Sequence, residues 1–353
     1  MLPAAFFRSP AFVPRAMTLG YLEGMATATG VLVVNIGTPD APTPKAIRRF
    51  LAEFLSDPHV VKLPWLPWQV VLRTLVLPFR PAKSANAYRQ IWTAAGSPLL
   101  TGTEALARAL ERWLASNLEE APLVALGMTY GNPSIDHALQ KLQWAGIRRL
   151  VVLPLFPQYS ATTTAAALDR VAAALAGWSA PPECFVIEDY HADPAHIAAL
   201  ASSIAAARTR WDHLIFSFHG IPQRYAAAGD PYGKRCQSTA QLVAAQLKLP
   251  RERWSVAFQS RVGRARWLAP YTEDRLRALA GDGVRHVAVA CPGFAVDCLE
   301  TLEEIAIRGA ATFFAAGGLD FEYIPALNDD AAQVDCLGRL VAERVDAPVE
   351  LAR

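Results

Sequence analysis

The sequence has little charge, and the charge it has is nearly balanced. Charged residues make up 19% of the 353 residues, apolar residues make up 52%, and the formal net charge is +2. So small a net charge argues against a nucleic-acid-binding protein, which gains affinity from many basic contacts to phosphates. The apolar fraction is large enough for a sizeable buried core, and the length suits two domains.

Cysteine is also scarce. The chain has five cysteines, an odd number, and no two of them form a CxxC pair. This pattern argues against a disulfide scaffold and against a zinc ribbon. It fits the reducing cytoplasm, where we expect the protein to reside. The cysteines are Cys184, Cys236, Cys291, Cys298 and Cys336.

Long hydrophobic runs and nucleotide-binding motifs are missing as well. No stretch of about 20 uncharged apolar residues occurs, so no membrane-spanning helix is expected. Neither GxGxxG nor a P-loop occurs, so a nucleotide cofactor is not indicated. Residues 1–29 lack the order of charged, apolar and small residues that a secretion signal has. We interpret them as a disordered leader or an upstream alternative start, with a cleaved targeting segment as the alternative.

The most regular feature that is present is an alternation of short apolar runs with Ala-, Leu- and Arg-rich stretches of helical periodicity. Such alternation is typical of parallel βαβ units, whose strands are covered on both faces. We therefore predict an α/β fold of two similar Rossmann-like, doubly wound domains, each with a four-stranded parallel sheet. The predicted strands are residues 31–36, 123–129, 149–153, 184–188, 213–218, 253–258, 286–290 and 321–324.

The predicted strands fall into two groups of four, which places a domain boundary near residue 190. Residues 1–29 would be the leader, 30–190 the N-terminal domain and 191–328 the C-terminal domain. Residues 329–353 would form a last helix and a tail, and the sequence leaves open which half that helix packs on.

The stretch from about residue 47 to residue 80 breaks the alternation. Trp65 and Trp68 stand there among prolines and aliphatic residues, and the prolines make a core helix unfavourable. Two interpretations are open. The stretch is either an irregular subdomain with its own small core, or a mobile apolar lip that holds a large flat ligand, touches a membrane surface, or does both.

Two segments that follow apolar strands carry candidate chemistry. The first reads SFHGIP from Ser217, and the second reads CPGF from Cys291, just before a helix rich in carboxylates. His219 ends its strand and is followed by glycine, so its ring is expected to point into the crevice where α/β sheets bind ligands. A neutral imidazole can bind a divalent metal or accept a proton near neutral pH, although a histidine near a strand can also be purely structural.

The carboxylates of the second segment show helical spacing. Asp297, Glu300 and Glu304 stand at i, i+3 and i+7, which predicts that they share one helical face. Carboxylates stacked at the crevice can pass a hard cation or protons inward, and clustered like charges raise the pKa of some members. The alternative is an ordinary solvated helix face.

Basic and hydroxyl side chains follow the apolar stretch. Arg80 offers a guanidinium fork for carboxylates, and Tyr88 and Ser97 offer hydroxyl groups. Apolar walls combined with a few carboxylate anchors suit a flat, amphipathic ligand that carries acidic side chains.

Six ordered motifs make the sequence resemble the ferrochelatases, the terminal enzymes of haem synthesis, and closely so the bacterial members that use protoporphyrin IX. The resemblance covers roughly residues 31–327, nearly all of the chain after the leader. The motifs are VNIGTPD from Val34, GSPL from Gly96, LPLFPQYS from Leu153, SFHGIP from Ser217, FQSRVG from Phe258 and CPGFAVDCLETLEE from Cys291.

The resemblance implies a porphyrin cleft between two Rossmann-like domains and an enzyme that inserts Fe²⁺ into protoporphyrin IX, giving protohaem and two protons. It implies that His219 and Glu300 are the catalytic pair at the metal, and that Asp297 and Glu304 extend a path for protons or metal. The positions that match family residues around the porphyrin are Ile36, Arg80, Tyr88, Ser97 and Tyr159.

Three positions depart from patterns seen in parts of the family. Ile36 stands where some coproporphyrin-using members carry a tyrosine that reaches the metal, which favours protoporphyrin IX. Some members bind an iron–sulfur cluster through several cysteines near the C-terminus; only Cys336 lies there, so we expect no cluster and no permanently bound cofactor. Cys298 stands where some relatives carry a histidine, so the set of metal ligands around this position stays open.

Three alternatives to the enzyme remain open: a haem or porphyrin carrier without turnover, a two-lobed solute-binding protein, and a cobalt chelatase that acts on a sirohydrochlorin-like ring. A solute-binding protein would need a secretion signal and gives no reason for the acidic helix. The expected partners are protoporphyrin IX and Fe²⁺, with peripheral membrane contact through the lip as a further expectation. The oligomeric state cannot be read from the sequence, and a monomer is the default.

Overall fold

The computed structural model describes residues 29–207, 210–263 and 265–345. The strands are β1 (Thr29–Asn35), β2 (Leu123–Met128), β3 (Arg149–Pro154), β4 (Glu183–Val186), β5 (His213–His219), β6 (Trp254–Gln259), β7 (His286–Ala290) and β8 (Asp320–Ile324). They form two four-stranded sheets with the same order, β2-β1-β3-β4 and β6-β5-β7-β8, and all pairs are parallel. The predicted α/β fold with two parallel sheets is confirmed.

Helices connect the strands and cover the sheets. The α-helices are α1 (Pro44–Phe54), α2 (Trp65–Val71), α3 (Leu77–Ile91), α4 (Pro98–Asn117), α5 (Ile135–Trp144), α6 (Ala166–Leu175), α7 (Pro194–Ala205), α8 (Gln223–Ala227), α9 (Tyr232–Gln246), α10 (Thr272–Gly281), α11 (Leu299–Thr301), α12 (Ala310–Ala315) and α13 (Ala331–Val345). Segments Leu72–Val76, Ala161–Ala165 and Leu302–Gly309 are π-helical, and Arg251–Arg253 is a 3₁₀ turn. The expected leader, apart from Thr29, and residues 346–353 of the expected tail lie outside the described residues, and the boundary near residue 190 stays a prediction.

The central strands explain the apolar runs of the sequence. Residues 31–34 of β1 and 214–216 of β5 have no exposed surface. A strand inside a parallel sheet is covered by helices on both faces, so both of its side-chain rows must be apolar. This is why the runs read as continuous rather than alternating.

The strand order places the two sequence segments side by side. In each sheet the chain first adds a strand on one side of the starting strand and then crosses to the other side, so the order reverses between β1 and β3 and between β5 and β7. Ligands of open α/β sheets bind outside the carboxyl ends of the strands at such a reversal. His219 ends β5 and Cys291 follows β7, so both segments lie at the reversal of the second sheet.

The segment between α1 and α4 is more helical than its prolines suggest. From Trp65 to Ile91 the chain is continuously helical, and the π-helical turn Leu72–Val76 joins α2 to α3. Pro78 stands just after the π-helical turn and Pro81 stands inside α3, so neither proline ends the helix. The segment has its own small core, built around Ile47, Leu72 and Tyr88. No helix within the described residues is long and apolar enough to span a bilayer.

The last helix returns to the N-terminal domain. α13 packs against α4 and also against α7. The Trp113 ring of α4 lies on Gly338, and Trp113 Nε1 donates a hydrogen bond to Asp335 Oδ1 at 3.3 Å. Val334, Leu337 and Val341 complete the core beneath the first sheet. The end of the chain therefore ties the two halves together.

Replacing Gly338 with alanine tests that contact. A methyl group there would lie 2.3 Å from Cε3 of Trp113, so the ring must shift. We expect Gly338→Ala to lower the free energy of unfolding by about 1–3 kcal/mol, because overpacking outweighs the gain in helix propensity. Urea denaturation measures the change. Gly281→Ala in α10, where the new methyl would meet nothing within 4 Å, is the matched control, and an equal or higher stability of Gly338→Ala would contradict the contact.

Candidate active site

His219 stands half-buried at the carboxyl end of β5. Its Nδ1 lies 2.7 Å from the carbonyl oxygen of Gly220. A carbonyl only accepts hydrogen bonds, so Nδ1 carries the proton and, in the neutral ring, Nε2 keeps a free lone pair. The Trp267 ring lies beside the imidazole, with 6.4 Å between the ring centroids. The ring is thus oriented with one nitrogen available as a base or a metal ligand.

Asp297 does not share a helical face with Glu300 and Glu304, and this part of the prediction is wrong. The helix begins only at Leu299, so Asp297 lies before it. Its carboxylate accepts hydrogen bonds from the hydroxyls of Thr301 (2.9 Å) and Tyr323 (2.5 Å) and from the amide of Asn328 (2.9 Å). These partners orient the start of the helix and occupy both carboxylate oxygens. A role of Asp297 in a proton or metal path stays a prediction.

Glu300 and Glu304 follow on the same helix, which becomes π-helical at Leu302. Both oxygens of Glu304 accept hydrogen bonds from Ser260: its N–H donates to Oε1 at 2.7 Å and its hydroxyl to Oε2 at 2.6 Å. Burial raises the pKa of Glu304, while the Ser260 hydrogen bonds and the charges of Arg308 and His219 oppose that rise. Glu304 therefore lies within electrostatic reach of the imidazole.

Gln259 connects the two sequence segments. Its Nε2 donates to the main-chain oxygen of Glu300 at 2.7 Å, and its Oε1 accepts from the hydroxyl of Ser217 at 2.6 Å. Ser217 belongs to the strand that ends in His219, so one side chain joins that strand to the acidic helix. The strand that ends in His219 and the main chain of Glu300 are consequently held in a fixed relation.

A narrow cavity joins the acidic helix to the N-terminal domain. The N-terminal domain contributes the turn after β1, two rings of α1, Tyr88 of α3 and the start of α4. The second domain contributes the turn that begins the acidic helix. The lining residues are Ile36, Gly37, Thr38, Phe50, Phe54, Tyr88, Ser97, Leu99, Cys298, Leu299 and Glu300. The structure therefore brings together four of the residues expected around the substrate, namely Ile36, Tyr88, Ser97 and Glu300.

Burial governs the electrostatics at this cavity. Burial lowers the pKa of Arg80, and the Glu300 carboxylate partly restores it. Burial also raises the pKa of Tyr88, and Glu300 raises it further. The three groups come from both domains and share a poorly hydrated space, where charges interact more strongly than in water.

Cys298 contributes a neutral group to the same space. Burial raises the pKa of its thiol well above the usual value, and the neighbouring Glu300 carboxylate adds to the rise. The side chain also caps α11, accepting from the backbone at Thr301. At the position where some relatives carry a histidine, this protein thus carries a protonated thiol.

Three of the expected site residues, His219, Arg80 and Tyr159, do not line this cavity. The guanidinium of Arg235 lies over the Tyr159 ring, 5.1 Å from the ring centroid. Trp68 is partly buried and donates a hydrogen bond from Nε1 to the Leu55 carbonyl at 2.6 Å. Trp65, by contrast, is 60% exposed. The two tryptophans of the lip therefore differ, since Trp68 anchors the segment and Trp65 faces solvent.

The lip is an exposed apolar ridge on α2 and the start of α3. Its solvent-facing side chains are Leu63, Trp65, Leu66, Val70, Val71, Leu75 and Phe79. The second domain holds the base of the ridge: the Tyr225 hydroxyl donates to the Val60 carbonyl at 3.1 Å and accepts from the Lys62 N–H at 3.0 Å. The ridge is therefore attached to both domains beside the cavity.

Several residues of the site had no predicted role. Thr38 accepts or donates a hydrogen bond with Ser97 at 2.8 Å, and Phe50 and Phe54 form an apolar wall. Gln259 and Ser260 hold the acidic helix. The FQSRVG motif was the sequence signal for Gln259 and Ser260. The motif lies at the end of β6, where Gln259 pairs with His219 of the neighbouring strand.

Comparisons with known proteins agree with the geometry. The family model described as Ferrochelatase matches residues 28–345. The ferrochelatase of Edwardsiella ictaluri is 52% identical over 321 residues, covering 90% of this chain and 98% of that protein. The ferrochelatase of Methylococcus capsulatus is 50% identical over 318 residues, covering 88% and 95%.

Solved structures show the same fold at low identity. SirB from Bacillus subtilis with Fe³⁺ has a TM-score of 0.53 and 12% identity, covering 90% of this chain and 96% of that one. A sirohydrochlorin chelatase SirB in complex with cobalt has a TM-score of 0.53 and 13% identity, covering 91% and 97%. The match over nearly the whole chain, at about half identity to several relatives, shows that this protein belongs to the ferrochelatase family.

Proposed function

We propose that this protein inserts Fe²⁺ into protoporphyrin IX, giving protohaem and releasing two protons, as the last step of haem synthesis. Membership of the ferrochelatase family establishes a metal chelatase that makes haem. The observation that carries the residue assignment is the linkage through Gln259, which holds the acidic helix next to the strand that ends in His219.

The chemistry requires a base and an open coordination face. A planar porphyrin hides its nitrogen lone pairs and crowds its two N–H groups, so a cleft that binds a bent ring spends binding energy on exposing those lone pairs. We assign His219 to the ring centre as proton acceptor or metal ligand through its free Nε2. We propose that Glu300, from the same domain, faces His219 across the porphyrin ring, next to Tyr88 and Arg80.

Glu304 extends the site away from the ring. Its carboxylate lies within electrostatic reach of His219, and burial raises its pKa, which favours exchange of protons near neutral pH. We propose that Glu304 carries protons or Fe²⁺ between the site and solvent. Asp297 stays a second candidate for this path; its carboxylate accepts hydrogen bonds from Thr301, Tyr323 and Asn328.

The choice of porphyrin follows from the polarity of the cavity. Ile36 presents an apolar side chain where a metal-reaching tyrosine would be polar, and the lip adds an apolar ridge. Protoporphyrin IX, with two acidic side chains, suits these walls better than coproporphyrin with four. Arg80 is the candidate partner for a propionate, and a contact between porphyrin and Tyr159 stays a prediction.

One anaerobic assay separates this function from the alternatives. Fe²⁺, Zn²⁺ and Co²⁺ are each offered with protoporphyrin, coproporphyrin and sirohydrochlorin, and product spectra are recorded. We expect the highest kcat/KM with Fe²⁺ and protoporphyrin IX. Tight binding without insertion would identify a carrier, and activity with cobalt and sirohydrochlorin alone would identify a cobalt chelatase.

His219→Ala and Glu300→Gln test the assigned pair. We expect His219→Ala to abolish insertion because the ring protons lose their acceptor, while the Kd for protoporphyrin, measured by fluorescence quenching, stays within about tenfold. Glu300→Gln keeps the shape and removes the charge, and we expect it to lose most of its activity. Asp169→Asn, an exposed carboxylate on α6, is the control. Normal turnover in either site variant at saturating Fe²⁺ would contradict the assignment.

The exposed apolar surface of the lip suggests where the enzyme takes up its substrate. We propose that the ridge touches a membrane surface, from which the apolar porphyrin enters the cleft, and that the enzyme otherwise works in the cytoplasm as a monomer without an iron–sulfur cluster. Five free thiols, four of them buried, support a reducing compartment. A contiguous exposed apolar ridge supports the membrane contact.

Vesicle sedimentation tests the membrane contact. We expect Trp65→Ser to weaken binding to lipid vesicles several-fold, because the indole would no longer be buried in the headgroup region. Trp144→Ser is the matched control, since Trp144 is also exposed (75%) but lies on α5 away from the ridge. Equal vesicle binding by wild type and both variants would contradict a contact between the ridge and the membrane.

A further inference from the structure

Ser260 adopts a backbone conformation that serine rarely adopts. It follows the last residue of β6 and has a φ of +66°. A non-glycine residue in the left-handed region is strained, and such strain persists only where the surroundings impose it. Something in the structure must therefore hold Ser260 in this conformation.

The conformation directs two donors at one carboxylate. The Ser260 N–H reaches Oε1 of Glu304 and its hydroxyl reaches Oε2, at 2.7 and 2.6 Å. Short hydrogen bonds to an ionised acceptor are among the strongest that proteins form. The pair fixes both the position and the rotation of the Glu304 carboxylate, which offsets the backbone strain.

Glu304 belongs to a segment that needs such support. Leu302–Gly309 is π-helical, and π-helical turns are rare, since their hydrogen-bond register is less favourable than that of an α-helix. Gln259, the neighbour of Ser260, holds the main chain of Glu300 at the preceding turn. Two adjacent residues at the end of β6 therefore hold the helix, Gln259 at the main chain of Glu300 and Ser260 at the carboxylate of Glu304.

The same strand end also supports the imidazole. The Gly220 N–H donates to the Gln259 carbonyl at 2.9 Å, and the Gly220 carbonyl accepts from Nδ1 of His219. A displacement of Ser260 would thus move both the imidazole of His219 and the acidic helix. The porphyrin side chains would not be affected, because they are expected to meet the N-terminal domain.

We propose that Ser260 is a positioning residue for metal insertion: by holding Glu304 it fixes the π-helical segment and keeps Glu300 directed at the porphyrin centre, given the role proposed above for Glu300. Ser260 itself need not touch the substrate. Its contribution is to the geometry of the carboxylates in the reacting complex.

Ser260→Gly tests the proposal, because glycine adopts the left-handed conformation without strain. It removes the hydroxymethyl side chain and with it the hydrogen bond to Oε2 of Glu304, while the N–H donor to Oε1 stays. We expect kcat to fall about tenfold, since a loosened carboxylate loses the alignment that the chemical step needs. KM and Kd for protoporphyrin should stay within about threefold, because substrate binding is not altered. The Tm should be unchanged or higher because the strain is relieved.

Lys248→Gly is the matched control. Lys248 is the exposed residue after α9 and also has a positive φ, +53°, so the substitution relieves the same kind of strain far from the site. We expect its kcat to equal that of wild type. Should Ser260→Gly be unstable, Ser260→Ala removes the same hydroxyl and provides the same comparison.

A double-mutant cycle shows whether Ser260 acts through Glu304. Glu304→Ala removes the carboxylate that accepts from Ser260, so adding Ser260→Gly to it should lower kcat no further. Additive losses, or a kcat of Ser260→Gly within twofold of wild type, would overturn the proposal. If instead His219→Ala and Glu300→Gln retain activity, the site assignment itself fails; if they lose it while Ser260→Gly does not, only the positioning role fails.

Discussion

The candidate site depends on hydrogen bonds that join the end of β6 to the helix after β7. Gln259 and Ser260 hold Glu300 and Glu304, and through Gly220 they also support His219. Because these side chains come from three neighbouring strands of one sheet, their relative positions are set by rigid elements rather than by mobile loops. A small change at this strand end would move the acidic helix and the imidazole together.

The second constraint is desolvation between the domains. Arg80 and Tyr88 of the N-terminal domain lie within electrostatic reach of Glu300 of the C-terminal domain, in a space where burial shifts the pKa of both. Charged groups in so poorly hydrated a place are costly unless they meet opposite charges. A bound Fe²⁺ and the propionates of a porphyrin would supply such partners, which gives a physical reason for the cleft to bind this kind of ligand.

Long-range contacts hold the cleft in shape around that space. Tyr225 attaches the base of the lip to the second domain, and α13 returns to pack on Trp113 of α4. The lip combines the two interpretations that the sequence left open, since it has its own core and also an exposed apolar ridge. The sequence could not separate the two interpretations, because Trp65 and Trp68 stand three positions apart on one helix. Trp65 is nevertheless exposed to solvent, whereas Trp68 is partly buried.

The sequence by itself determined the class of fold and the segments that carry the chemistry. Continuous apolar runs require strands buried on both faces, and residues at their carboxyl ends gather at one edge of a parallel sheet, so the sequence alone places His219 and the Cys291 segment at that edge. Only the tertiary structure decided which partners each carboxylate has. Asp297 fitted the helical spacing, but Tyr323 and Asn328, from a distant strand and loop, engage it before the helix begins. Spacing along the chain describes one element alone, whereas the direction of a carboxylate depends on partners that only folding brings near.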